Sequence, residues 1–117
     1  MGFPVNRTEP VARKGTFTSG ILDAQAMVDW DRASMRANLP AGTTLALSVR
    51  TGSMSTPDGS WSAWQSVPKS GRVEGSSRYL QYRLTLVATS GASAPSVSAV
   101  GFSNNAGQME HETETGR

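Results

Sequence analysis

Residues 43–50 read Thr-Thr-Leu-Ala-Leu-Ser-Val-Arg. Leu45, Leu47 and Val49 alternate with Ala46, Ser48 and Arg50. A period of two puts the three apolar side chains on one face of a strand and leaves Arg50 on the other. The same period runs through Arg78–Ala88, where Leu80, Tyr82, Leu84 and Leu86 face one way and Arg83 the other. Two long half-buried strands of this kind predict an all-β protein.

Turn chemistry brackets these strands on both sides. Pro40-Ala41-Gly42 precedes the first; Pro presets φ and Gly accepts a positive φ. Thr51–Ser60 is a loop carrying Pro57-Asp58-Gly59, and Trp61–Val67 is expected to be a strand. Pro68–Ser77 reads as a Gly/Ser loop and Ser90–Ala94 as a turn. Ser96–Ser103 then returns the chain. Val97 and Val100 differ in parity there, which predicts a bulge or a bend between them. On the N-terminal side, Thr16–Leu22 is a strand, Asp23–Ala26 breaks it, and Val28–Leu39 resumes with Ala33, Met35 and Ala37 on one face. A helix over Ala24–Met35, capped by Asp23, is the alternative; Val28, Trp30 and the alternation that follows favour a strand. With no helical crossovers to return the chain, the strands are expected to be antiparallel, in a sandwich or barrel.

Composition narrows the function classes. The chain has 117 residues, one domain's worth of core. It has no Cys and one His, which excludes disulfide scaffolds, thiol nucleophiles and multi-histidine metal centres. No apolar run approaches the ~20 residues that span a bilayer, so no membrane insertion is expected. The net charge of +2 is scattered, with no basic run and no Lys/Arg stripe interleaved with aromatics, and no nucleic-acid partner is expected. Residues 1–14, with two Pro and mixed charge, read as an arm or linker; 15–103 is the folded module; 104–117 reads as a polar, acidic, frayed tail. The only His, His111, lies in that tail between Glu110 and Glu112. A general base needs a fixed position, so no catalytic residues are assigned and the chain is not read as an enzyme.

The ordered set GTFTSGILDA (15–24), VDW (28–30), LPAGTTLALSVRTG (39–52), TPDGSWSAW (56–64), SSRYLQYRLTL (76–86) and AP-SVSAV (94–100) resembles a bacterial accessory module. Such modules are similar to galactose-binding-domain-like β-sandwiches of the discoidin and carbohydrate-binding-module type. The resemblance implies an antiparallel β-sandwich of jelly-roll type with disordered N- and C-terminal segments. It also implies an extracellular, cell-surface or virion setting within a larger protein, with neighbouring domains as partners. The chain departs from the pattern at Met35, where a bulky aromatic is usual, and near Ala33.

The binding candidates are aromatic and cationic. Trp30 and Trp64 are candidate platforms for carbohydrate or another surface polymer, because a pyranose stacks its C–H face on an indole. Trp61 and Trp64 are three positions apart and are expected on opposite faces of their strand. The WSAW run (61–64) is also similar to the W-x-x-W of thrombospondin-type repeats and the WSxWS of cytokine receptors. The disulfides of those domains cannot form here, but cation–π stacking of Trp64 between the outward Arg50 and Arg83 remains an expectation. Arg72, with Glu74 and Arg78, is the polar candidate of a loop rim. Asp29 and Asp31 share one strand face and read as solvated edge charges. No cofactor is expected beyond a structural Ca²⁺ on Asp23 and loop carbonyls, although no dense Asp-x-Asp-x-Asp loop is present. A spacer or assembly module without a small-molecule ligand is the alternative function.

Overall fold

The computed structural model describes residues 13–89 and 91–115, with side chains as far as Met109. All its regular structure is β, and no helix forms over Ala24–Met35. The strands are β1 (Arg13–Thr18), β2 (Leu22–Asn38), β3 (Thr43–Gly52), β4 (Gln65–Ser66), β5 (Ser76–Ala88), β6 (Ser96–Asn104) and β7 (Gly107–Thr115). They form one antiparallel seven-stranded sheet in the order β4-β3-β5-β2-β6-β7, with β1 also paired to β5.

The two strands with the clearest alternation lie side by side. β3 and β5 pair from Thr43↔Ala88 to Gly52↔Tyr79. Leu47, Val49, Leu80, Tyr82, Leu84 and Leu86 are all buried on one face. Each such side chain removed from water contributes roughly 1.5–3 kcal/mol. The other edge of β5 is shared by β1 and the start of β2 in succession: Arg13–Thr18 pair with Ala88–Arg83, and Leu22 resumes opposite Leu80. The chain from 13 to 38 is thus a single run interrupted twice. The first interruption is Ser19–Ile21, where the Ser19 hydroxyl accepts the Tyr82 N–H. The second spans Asp23 to Val28, where four residues of β2, 24–27, lie opposite Arg78 alone on β5. Gln25 there adopts φ 68°, the left-handed region that a non-glycine residue seldom occupies. The expected break at Asp23–Ala26 is therefore a bulge inside one strand.

Beyond the bulge, β2 leaves β5 and pairs with β6, from Trp30↔Asn104 to Asn38↔Ser96. The sheet curls at this strand. Tyr82 of β5 and Phe102 of β6, on strands that do not pair, lie 5.7 Å apart between ring centroids. Trp30 meets Phe102 edge-on at 6.4 Å. One core fills the inside of the curl, drawn from β2, β3, β5, β6 and Val73. The β6 bulge expected between Val97 and Val100 is present: the register shifts where Arg36 faces Ala99 and Ala37 faces Val97. The Ser98 hydroxyl donates to the Arg36 carbonyl at that point.

Three expectations need correcting. Trp61–Val67 is mostly loop, and only Gln65–Ser66 pairs with β3. Residues 68–75 are not a free rim. Ala33 N–H donates to Gly71 O, Val73 N–H to Asp31 O and Trp30 N–H to Gly75 O, so the segment is pinned along β2 with Val73 buried. Gly107–Thr115, placed in a frayed tail by its polarity, pairs with β6. The proposed arm at 1–14 lies outside the described residues apart from Arg13 and Lys14.

Candidate functional site

The outer face of β3 and β5 carries what the inner face rejects. Thr44, Ala46, Ser48 and Arg50 alternate outward on β3, and Gln81, Arg83, Thr85 and Val87 on β5. On β1, Phe17 packs against the core while Lys14, Thr16 and Thr18 take the outer side. Trp64 reaches this face from the segment leading into β4. Its indole is covered by two guanidinium groups: Arg83 Cζ lies 4.0 Å and Arg50 Cζ 4.7 Å from the ring centroid. Arg50 Cζ is also 5.7 Å from the Trp61 ring. The order along the surface is Trp61, Arg50, Trp64, Arg83. A guanidinium over an indole is attracted by the ring quadrupole, by about 0.5–1 kcal/mol at an exposed site.

The stack is held from below. Arg50 Nε donates to Gln81 Oε1 at 2.8 Å, and Gln81 Nε2 donates to the Ser19 carbonyl at 2.7 Å. Trp61 is fixed independently. Its Nε1–H donates to the Met54 carbonyl at 3.0 Å, and its ring lies on Gly52, where an added Cβ would stand 2.3 Å from the indole. The bare backbone of Gly52 makes room for the ring. Trp61 and Trp64 both reach Arg50, so the expectation of opposite faces fails. The segment between them is not extended strand, and simple alternation does not apply to it.

The remaining candidates scatter. Trp30 is 5% exposed and belongs to the core; its Nε1–H donates to Ser77 Oγ at 2.8 Å. It is no platform, because β2 turns that face inward over Phe102. Arg72 is exposed and pairs loosely with Glu74 at 3.8 Å, away from the stack in sequence and on the segment pinned to β2. Asp23 serves Arg78. Arg78 Nε and Nη2 donate to its two carboxylate oxygens at 2.7 and 3.0 Å, and the Gln25 N–H donates to Oδ1 at 2.7 Å. These hydrogen bonds, the Arg78 one foremost, hold the Asp23 carboxyl below its usual range. A carboxylate so engaged stabilises the bulge at Gln25, and among the described residues no group of three or more His, Cys, Asp and Glu gathers for a metal. Asp29 accepts a hydrogen bond from the Ser76 hydroxyl. The His111 side chain lies outside the described ones.

Tyr79, one of the aromatics that the sequence offers as platform material, has its ring 5.0 Å from Arg78 Cζ; sequence reasoning missed the part played by Gln81. Alternation on β5 placed Gln81 beside Arg83 but gave no hint that it would brace Arg50. Comparison of the chain with known protein families, with curated proteins and with solved structures finds no match.

Proposed function

We propose that this chain is a non-catalytic binding module for carbohydrate or another surface polymer, working within a larger secreted, surface or virion protein. The observation that carries the reading is the half-exposed Trp64, held between Arg50 and Arg83 on the outer face of a sheet whose other face is core. An aromatic clamped on rigid strands is preorganised, so a ligand binding there orders little more of the protein. The curl that lays Tyr82 against Phe102 supports a β-sandwich of jelly-roll type as the scaffold.

A glycan array with the intact chain and with Trp64→Ala tests this. Binding that the variant loses while its far-ultraviolet dichroism stays unchanged is the expected result. A well-folded protein with no glycan bound overturns it. A second reading, a spacer that positions a neighbouring domain, draws on Met35 and Leu39, which are 40% and 46% exposed near the far end of β2. It predicts that Trp64→Ala changes nothing, whereas Met35→Ser weakens packing against the neighbour, read as looser domain coupling in the larger protein.

A further inference from the structure

Four of the strands carry charge of one sign or none, whereas β2 mixes Asp23, Asp29 and Asp31 with Arg32 and Arg36. β1, β3, β4 and β5 contain Arg13, Lys14, Arg50, Arg78 and Arg83 and not one Asp or Glu. Among the described residues the carboxylates fall elsewhere: Asp23, Asp29 and Asp31 on β2, Asp58 and Glu74 in loops, and Glu110, Glu112 and Glu114 in the sequence of β7. Three of the five cations make hydrogen bonds within the molecule: Arg78 is held by Asp23, Arg13 donates to the Ala92 carbonyl at 2.7 Å, and Arg50 donates through Nε alone to Gln81 Oε1 at 2.8 Å. Lys14, Arg50 and Arg83 have no carboxylate partner among the described residues, and all three take the outer face. Around them stand Thr16, Thr18, Thr44, Ser48, Gln81 and Thr85, groups that hydrogen-bond without charge.

Building on the proposed polymer-binding role, we propose that the polymer is an acidic polysaccharide, with its carboxylate or sulfate groups on Arg83 and Arg50 and a sugar ring beside the half-exposed Trp64. A guanidinium presents a planar fork that fits such anions in a bidentate way. Both forks lie over one indole, so their separation cannot exceed the sum of their two distances to its centroid, and neighbouring anionic groups of one chain can meet both. The stack also keeps each guanidinium oriented before the ligand arrives. Hydroxyls and one half-exposed aromatic, Trp64, with Trp61 buried, favour a sugar chain over a nucleic acid, which would call for a series of stacking rings.

The test compares dextran sulfate, neutral dextran and single-stranded DNA as titrants of the full chain, with Arg83→Gln, Arg83→Lys and Lys14→Gln as variants whose folding is checked by dichroism. Dextran sulfate is expected to bind about tenfold or more tighter than dextran, and to weaken as salt rises past physiological strength. Arg83→Gln should lose about tenfold, roughly one charge-assisted hydrogen bond. Arg83→Lys should recover only part, and the exposed Lys14→Gln should weaken binding without touching the stack. Equal, salt-insensitive binding of dextran and dextran sulfate overturns the acidic ligand but leaves the polymer-binding role standing. DNA binding as tight as dextran sulfate also overturns it, in favour of unselective polyanion binding. No binding to either dextran by a folded protein overturns both readings.

Discussion

Gly52 and Tyr82 show how single positions set the two faces of β3 and β5. At Gly52 an added methyl would meet the Trp61 ring at 2.3 Å, and the ring itself is tied to the Met54 carbonyl. Gly52→Ala therefore forces Trp61 off its seat and loosens the stack at Arg50. A cost of about 1–3 kcal/mol, the usual range for overpacking, is expected in urea unfolding, together with a change in tryptophan fluorescence. Tyr82 is fully buried between Phe17 and Phe102, and burial pushes its phenol up to about 12 from 10.0. The folded state thus keeps a proton that the unfolded chain gives up. The sign follows from linkage: this contribution is intact below pH 10 and is lost as the pH climbs towards 12. Alkaline unfolding should accordingly accompany phenolate formation at Tyr82, and Tyr82→Phe should remove that limb of the pH–stability curve. For Asp23 the sign is opposite. Its carboxyl is depressed by Arg78, so its contribution is present above the ordinary carboxylate range and is lost as pH falls below 3.8. Asp23→Asn should flatten stability across that acid range.

At the scale of elements, the strands that were legible in the sequence are those whose two faces differ. β3 and β5 alternate cleanly because one face is core and the other wet, and their inward residues and the outward Arg50 and Arg83 follow from parity alone. Parity also exposed the β6 bulge. It failed where long-range backbone pairing does the ordering. The 68–75 segment is rich in Gly and Ser and carries only Val73 as an apolar mark, yet three backbone hydrogen bonds, and one from the Arg32 guanidinium to the Ser70 carbonyl, bind it along β2. Gly71 is the position that permits this. It sits at φ 85°, and a Cβ there would stand 2.5 Å from the Ala33 carbonyl oxygen. Gly71→Ala should destabilise by more than the roughly 0.4–1 kcal/mol that Gly→Ala gains at compatible sites and should raise hydrogen exchange at Ala33 and Val73 before the rest of the sheet. Trp30 departs from its expected exposure for a related reason. Alternation around Trp30 separates it from Asp29 and Asp31, but only the curl of β2 decides that its face is the inner one.

For the whole molecule the decisive question is how the far limb of the curl is closed. β6 is buried at Val97, Ala99, Val100, Gly101 and Phe102, on both sides of the strand, as befits a central strand rather than an edge. It is central only because β7 pairs along it from Asn104↔Gly107 to Val97↔Thr115. Met109, opposite Phe102, packs partly buried against the core. The polar sequence of β7 conceals this role, because an edge strand needs charged residues to discourage further pairing. A chain ending at Ala106 therefore does more than shed a tail. It bares the hydrogen-bonding edge of an apolar strand and returns Met109's share of the core to water. Stability should fall by about 1 kcal/mol or more, since a partly buried Met returns part of the ~1.5–3 kcal/mol of a full burial, which is on the order of 5 °C in Tm for a domain of this size. The truncated chain should also associate through β6, read as concentration-dependent light scattering. A truncated protein with unchanged Tm that stays monomeric would return residues 107–117 to the status of a tail.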